Sequence, residues 1–321
     1  MRKPLALVLL GIAAAAPQLP HDDVVRVGEF YRLASDVREH IWPGWSRTPA
    51  PLLLVTAETE FLTHSAAAPK EFTRIDDDLY ARPRQFPTNL LATFPAFGPP
   101  AVIVIGEPEN TEAKTSTRWL IVLMHEHFHQ FQYGHPGYYG AVNDLGLSRG
   151  DNSGMWMLNY PFPYDKPEVA DRFARLRDLL LRALNESNQG AFNQRAAEYV
   201  REREHAFGQL SPDDHKYISF QLWQEGIARY VQIKSAEAAA TYDPTSAYKA
   251  LPDYESFSDY APRARGDTLT ELARADLPKM KRVFLYSFGA AEGLLLDRLN
   301  PKWKEAYFTH VLTTDPLFES R

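Results

Sequence analysis

The amino-acid sequence predicts an α+β fold, in which a small N-terminal sheet precedes a mostly helical C-terminal part. Short apolar runs separated by Pro and Gly clusters predict strands at residues 52–56, 90–94 and 101–105. Apolar residues at helical spacing predict helices at residues 24–40, 115–133, 167–184, 192–207, 212–234 and 282–299. Because the sheet comes first and most helices follow it, the order is typical of an α+β protein.

Composition indicates a globular protein and argues against one that binds nucleic acid. With 321 residues, 45% of them hydrophobic and 24% charged, the chain can bury a sizeable core. We expect an N-terminal α/β lobe at 17–110 and a helical catalytic lobe at 111–321. The net charge of −6 and the lack of a Lys/Arg-rich run argue against a nucleic-acid-binding protein. There is no cysteine, so a transition metal would have to be held by imidazole and carboxylate groups.

The first residues are similar to an export signal. Arg2 and Lys3 precede an apolar run at 5–12 and small residues at 13–16. The apolar run is too short to span a bilayer, which predicts a signal peptide at 1–16 that is cleaved, and no stable membrane anchor. The mature protein is then periplasmic or secreted. A single hydrophobic anchor or a misread start is the alternative.

The motif that indicates chemistry is His125-Glu126-His127-Phe128-His129, which fits the pattern HExxH. On a helix, His125 and His129 are one turn apart on one face, so they can bind the same metal ion. Glu126 then lies beside them. There it can take a proton from a metal-activated water and pass that proton to a leaving amine.

A strand would place the same residues differently. His125, His127 and His129 alternate, so on a β-strand all three would point to one face and could chelate a metal together. The surrounding apolar residues do not alternate, however, and favour a helix that Thr115 or Ser116 can cap. Buried histidines held by hydrogen bonds without a metal are a third interpretation.

The candidate for a third metal ligand lies far downstream, at Glu225. Its helix has strong start signals, with Ser211 as the cap, Pro212 in the first position and acidic residues at 213–214. Gly226 in mid-helix costs about 1 kcal/mol relative to Ala, which indicates that another element packs closely there. We expect the helix that carries the histidines to be that element.

HExxH followed downstream by a Glu-Gly-x-Ala helix, here at 225–228, resembles the gluzincin zinc peptidases, the thermolysin-like and aminopeptidase-like branch of the zincins. The resemblance extends at most over residues 100–300, and only the motifs are specific. It implies a zincin-like fold, with Zn²⁺ bound by His125, His129 and Glu225. It also implies that Glu126 is the general base.

The same resemblance indicates further residues. Tyr286, in a Tyr-x-x-Gly segment at 286–289, is similar to the tyrosine of aminopeptidase-like gluzincins and would stabilise the developing oxyanion. The strand at 101–105 is similar to the zincin strand that lies beside the substrate. Arg229 departs from the pattern, because some members have an acidic residue there that supports a ligand.

Several assignments stay open at this stage. Instead of position 229, one of three polar residues would orient a ligand histidine: Asp144, Asp151 or Asn152. Three residues are alternatives to Tyr286: His215, Tyr217 and His205. The long segment 134–166, rich in Gly, Pro and aromatic residues, is either a wall of the site or a loop pinned to the core by its aromatic side chains.

Taken together, these features predict a zinc-dependent peptidase that acts on a peptide or protein substrate. A catalytically silent zinc-binding or structural protein is the first alternative. A metal-dependent enzyme with a strand site made of His125, His127 and His129 is the second. The presence of Glu126 favours an enzyme, because a protein that only holds a metal does not need that carboxylate. The substrate, the choice between endo- and exo-cleavage and the oligomeric state do not follow from the sequence.

Overall fold

The fold is α+β, as predicted, with a six-stranded mixed sheet and a larger helical part. It is described by a computed structural model for residues 17–151 and 153–319. The predicted signal peptide at 1–16 and Asn152 lie outside the described residues. Within those two ranges, no helix is long and apolar enough to cross a membrane.

The strands of the sheet are β1 (Leu52–Val55), β2 (Thr59–Thr63), β3 (Thr73–Asp76), β4 (Leu79–Pro83), β5 (Leu91–Phe94) and β6 (Val102–Gly106). Their order across the sheet is β3-β4-β2-β1-β6-β5. β1 and β6 are parallel, and the other neighbouring strands are antiparallel. The predicted strands are confirmed as β1, β5 and β6, whereas β2, β3 and β4 were not predicted.

Side chains on the two faces of the sheet enter two different cores, because successive strand residues point to opposite faces. One face of β1 and β6 joins the main core with the helices through Leu52, Leu54, Ile103 and Ile105. The other face forms a small cluster that Phe72 and neighbouring loops cover: Leu53, Val55, Val102 and Val104. These central strands are therefore buried on both faces.

β6 lies between β1 and β5, so both of its edges are paired. The strand that resembles the zincin substrate strand therefore has no free edge for a peptide, and that expectation is wrong for β6. β5 is the last strand of the sheet on this side and pairs with β6 only. Among the strands of the described residues, β5 is therefore the edge strand on the side of β6.

The helices of eight residues or more are α1 (His21–Ile41), α2 (Ser116–Tyr133), α5 (Pro167–Leu184), α6 (Gln189–Gly208), α7 (Pro212–Gln221), α8 (Ile227–Ala239), α10 (Phe257–Arg274) and α12 (Phe284–Leu299). Shorter ones are α3 (Tyr138–Asp144), α4 (Trp156–Asn159), α9 (Ser246–Lys249), α11 (Leu277–Met280) and α13 (Trp303–Tyr307). Every predicted helix is found. The segment predicted at 212–234 is, however, divided into α7 and α8 by a turn of π-helix at Leu222–Gly226. α10 was not predicted.

The start of α7 confirms its predicted signals, whereas the start of α2 is held in another way. The Ser211 hydroxyl accepts a hydrogen bond from the Asp214 backbone N–H, as an N-cap does. At α2 the Thr115 side chain makes no cap bond. Instead, the backbone N–H and the hydroxyl of Ser116 donate to Asp253, at 2.8 and 2.7 Å. A carboxylate from a distant segment thus satisfies the positive end of the helix that carries the histidines.

Gly226 makes the close contact that its position in mid-helix predicts, but with a different partner. A Cβ added there would lie 2.6 Å from the Cα of Gly289, and the reverse substitution gives the same distance. The π turn therefore packs directly on α12, backbone against backbone. The expectation that the histidine helix causes this contact is wrong, since the partner is the helix that carries Tyr286.

Candidate metal centre

His125 and His129 lie one turn apart on α2, and their Nε2 atoms are 3.1 Å apart. Both side chains are buried, with 6% and 5% of their surface exposed. Together with a carboxylate oxygen of Glu126, their nitrogens form a buried group whose atoms all lie within 4.8 Å of one another. These three residues could hold a metal ion.

His127 points away from that group, as expected on a helix. Its ring is fully buried and stands between Arg38, whose Nη1 lies 2.9 Å from Nε2, and Gln130, whose Oε1 lies 2.9 Å from Nδ1. Burial lowers the pKa of His127 to about 3, so the ring is neutral. The strand interpretation, with three histidines on one metal, is therefore wrong, and His127 is a buried structural histidine.

Glu225 comes to the same place from the π turn. Its Oε2 lies 3.4 Å from Nε2 of His129 and 3.9 Å from Nε2 of His125. The residue predicted as the third ligand is thus beside both histidines. Since π turns within helices are frequent at functional sites, this interruption of the helix at Glu225 is itself informative.

Glu126 lies between the histidine face and the sheet. The Thr93 hydroxyl on β5 donates to Glu126 Oε2 at 2.8 Å, and the side chain of Glu126 is 4% exposed. Burial raises the pKa of this carboxyl above its ordinary value. Thr93 was not predicted, because its contact depends on the packing of β5 against α2 and leaves no pattern in the sequence.

Gln132 orients His129, and the expected acidic residues do not. Its Oε1 lies 2.7 Å from Nδ1 of His129, while its Nε2 donates to the backbone oxygens of Trp223 and Gln224, both at 3.0 Å. One buried amide therefore joins a candidate ligand to the π turn that carries the other. The signal was present in the sequence, because Gln132 follows His129 by three residues on the same helix.

The residues proposed from the sequence for this orienting role lie elsewhere. Asp151 accepts hydrogen bonds from Ser153 and from the Trp156 backbone, at the start of α4. Asp144 is at the exposed end of α3. Asn152 is outside the described residues. The expectation that Asp144 or Asp151 supports a ligand histidine is therefore wrong.

Tyr286 is beside the histidines, as predicted. Its ring lies parallel to that of His125, with centroids 6.2 Å apart. Arg282, four residues earlier, donates from Nη1 to the Tyr286 hydroxyl at 2.7 Å and lies 3.4 Å from Glu225 Oε1. Arg282 was not predicted, although its spacing from Tyr286 is that of side chains that meet on a helix.

Of the three alternatives to Tyr286, two lie in other surroundings, whereas Tyr217 is close enough to Arg282 and Glu225 for their charges to act on it. His215 lies 2.8 Å from Asp315, in a network with Arg203. The Tyr217 hydroxyl donates to the backbone oxygen of Met157. His205 is exposed on α6. The described contacts therefore favour Tyr286.

Burial and neighbouring charges shift the pKa values of these residues in opposite directions. Burial alone would lower the pKa of His129, but the charge and contact of Glu225, with a contribution from Glu126, raise it to about 9. Burial alone would raise the pKa of Glu225, but His129 and Arg282 lower it to about 2. Burial and the neighbouring His129 lower the pKa of His125. The pKa values of the two histidines are thus shifted in opposite directions, and the neutral ring of His125 has a nitrogen lone pair that can bind a metal.

Segment 134–166 is pinned to the core by its aromatic side chains. Tyr160 stacks on Tyr217 with ring centroids 4.4 Å apart, and the Tyr138 hydroxyl donates to Gln224 at 2.6 Å. Trp156, Phe162 and other aromatic residues of the segment are also buried. The segment contains α3 and α4, so it is less irregular than its sequence indicates.

Comparisons with protein-family models, with curated proteins and with solved structures found no match for this chain.

Proposed function

We propose that this chain is a zinc-dependent hydrolase that cleaves peptide bonds, related to the gluzincin peptidases that its motifs resemble. One observation carries the proposal. Two buried histidines on α2 and the partly exposed Glu225, from a π turn far along the chain, meet at one point beside the buried Glu126. A pair of structural histidines would not need the carboxylate of Glu126 beside them, because burying a carboxylate costs free energy.

The donor set fits a zinc ion. In a tetrahedral zinc site with bonds of about 2.0–2.2 Å, ligand atoms are roughly 3.3 Å apart. The two Nε2 atoms here are 3.1 Å apart, and Glu225 Oε2 lies 3.4 and 3.9 Å from them. His125, His129 and Glu225 would therefore be the ligands. Nitrogen and oxygen donors also suit other divalent metals, so metal identity is part of the test.

A zinc ion held there would polarise a carbonyl oxygen and make a water molecule easier to deprotonate. Glu126 is the residue placed to accept that proton. Thr93 occupies its Oε2, which leaves Oε1 for the transfer. Because burial raises the pKa of Glu126, the protonated form is accessible and the same carboxyl can pass the proton to a leaving amine.

Peptide substrates are favoured by the free edge of β5. An extended peptide can add to the edge of a sheet through backbone hydrogen bonds. β5 is a terminal strand of the sheet, and its Thr93 contacts Glu126. A peptide paired with this edge would therefore pass beside the proposed base.

The test measures metal content and hydrolysis together. Purified protein should contain one zinc ion per chain and hydrolyse members of a mixed peptide library. Glu126→Gln should retain the metal, because Glu126 is not a proposed ligand, and should lower kcat by about 10²- to 10⁴-fold. Thr93→Ser is a matched control that keeps the hydroxyl donor and should leave metal content unchanged. Full metal content without turnover in the wild type would favour the silent metal-binding protein, and loss of zinc from Glu126→Gln would contradict the assigned roles.

A further inference from the structure

Arg282 lies where two groups of the proposed site meet. Its Nη1 donates to the Tyr286 hydroxyl at 2.7 Å and lies 3.4 Å from Oε1 of Glu225. The other carboxylate oxygen of Glu225, Oε2, faces the two histidines. One guanidinium nitrogen thus contacts the proposed ligand on the side away from the metal position, and contacts the proposed oxyanion donor as well.

The backbone before Arg282 is strained. Lys281 has φ 49° and ψ −128°, a conformation that residues other than Gly rarely adopt. Such strain is concentrated at functional sites, where the surrounding structure enforces it. The side chain of Lys281 itself is exposed. The strain is located at the turn that directs Arg282 towards the site.

We propose that Arg282 is a positioning residue that orients both Glu225 and Tyr286 for the reaction. This inference rests on the proposed function. By holding Oε1, Arg282 presents Oε2 of Glu225 to the metal. By donating to the Tyr286 oxygen, it fixes the position of that hydroxyl beside Glu225 and the proposed metal position. Arg282 does not itself touch the reacting atoms.

Whether removal of Arg282 tightens or weakens metal binding distinguishes a purely electrostatic role from an orienting one. A cation close to a divalent metal repels it, so if Arg282 acted only through its charge, its removal would tighten metal binding. If it orients Glu225, removal should weaken binding by about 10- to 100-fold, as is typical for residues that support metal ligands. We expect weaker binding of Zn²⁺ by Arg282→Met, measured by competition with a chromophoric chelator.

The effect on Tyr286 is tested by a double-mutant cycle. With Zn²⁺ at saturating concentration, so that weaker metal binding through Glu225 does not contribute, Arg282→Met should lower kcat by about 10- to 100-fold in the wild-type background. In the Tyr286→Phe background it should lower kcat by less than about 3-fold, because the hydroxyl that Arg282 orients is then absent. KM should change little. Arg282→Lys, which keeps a cationic donor, should recover part of both effects.

Arg298→Met is the matched control, because Arg298 is near the end of α12, the helix that follows Arg282, and donates to the backbone oxygens of Leu184 and Glu186. It should change zinc affinity and kcat by less than about 2-fold. Unchanged or tighter zinc binding by folded Arg282→Met overturns the proposal, as does an equal loss of kcat in both backgrounds. If the wild type hydrolyses no peptide, the proposed function fails, and the zinc measurement alone still decides the role of Arg282.

Discussion

Replacing Glu225 and His127 separately distinguishes a ligand from a neighbour of the ligands. The two side chains differ in position, since Glu225 Oε2 lies 3.4 Å from His129 Nε2 whereas His127 is bonded to Arg38 and Gln130. Glu225→Ala should therefore lose zinc, and His127→Ala should keep it. Since a residue that only supports a ligand is worth about 10- to 100-fold in metal affinity, loss of the ligand itself should exceed 100-fold.

His127→Ala, which should keep zinc, should lower the free energy of unfolding of the metal-free protein. His127 is fully buried and packs between Trp45 and Phe30, with ring centroids 5.2 and 6.2 Å away. Its truncation leaves a cavity and an unpaired Arg38 nitrogen, so the free energy of unfolding should fall by about 2–4 kcal/mol. Chemical denaturation of the metal-free proteins, together with zinc analysis of the native ones, measures both quantities. Zinc retained by Glu225→Ala but lost from folded His127→Ala would refute this arrangement of ligands.

Three further predictions follow from packing, charge and the N-terminus. Gly226→Ala should lower the free energy of unfolding by about 1–3 kcal/mol, because its Cβ would lie 2.6 Å from Gly289 Cα. Gly28→Ala is the control and should be stabilising, since a Cβ there would have nothing within 4 Å. Equal denaturation midpoints for the two variants would contradict this. Burial and neighbouring carboxylates raise the pKa of Glu107 to about 7 from 4.5, so its contribution to stability is lost as pH rises through that interval. Glu107→Gln should then raise the midpoint of thermal unfolding at pH 8 more than at pH 4, and a gain that does not depend on pH would be inconsistent. We also propose that the protein is exported, so N-terminal sequencing should find a mature chain that begins at 16–21. A full-length product in the cytoplasm would contradict this proposal.

The elements predicted from sequence are those in which local pattern and burial agree. β1 and β6 are continuous apolar runs, as expected for strands buried on both faces, and α5 has Pro167 in its first position and a single apolar face. β2, β3 and β4 were not predicted because each combines apolar residues with polar or charged ones. β2 buries Glu60, which is paired with Arg82 of β4, so a charged residue lies where a core residue would be expected. Pairing between strands resolves that conflict, and it is invisible in one segment alone.

α10 was missed for a different reason. It contains Pro262 and many charged residues, both of which disfavour a prediction of regular helix. Only a few of its side chains are buried, among them Phe257, Tyr260 and Leu272. The helix forms because these residues pack against the core and because Ser256 caps its start by accepting from the Asp259 N–H. Tertiary packing therefore overrides local propensity here.

The residues of the candidate site divide in the same way. His125, Glu126 and His129 were predicted because one helical turn brings them together, and Glu225 because its motif is specific. The supporting residues depend on contacts between distant segments. Thr93 reaches Glu126 across 33 positions, and Asp253 meets the start of α2 across 137. No spacing rule predicts such pairs, since the fold alone creates them.

Two buried contacts explain why the site can be assembled before a metal binds. Gln132 is fully buried and joins His129 to the backbone of the π turn, and the contact of Gly226 with Gly289 fixes that turn against α12. Glu225 lies between these two contacts, on a short piece of chain that is held on both sides. Moving the backbone of the π turn away from the histidines would require breaking the Gln132 hydrogen bonds in the interior, which is costly because the freed groups stay buried. Packing therefore sets the backbone positions of the proposed ligands, and binding of an ion would need little rearrangement of the main chain.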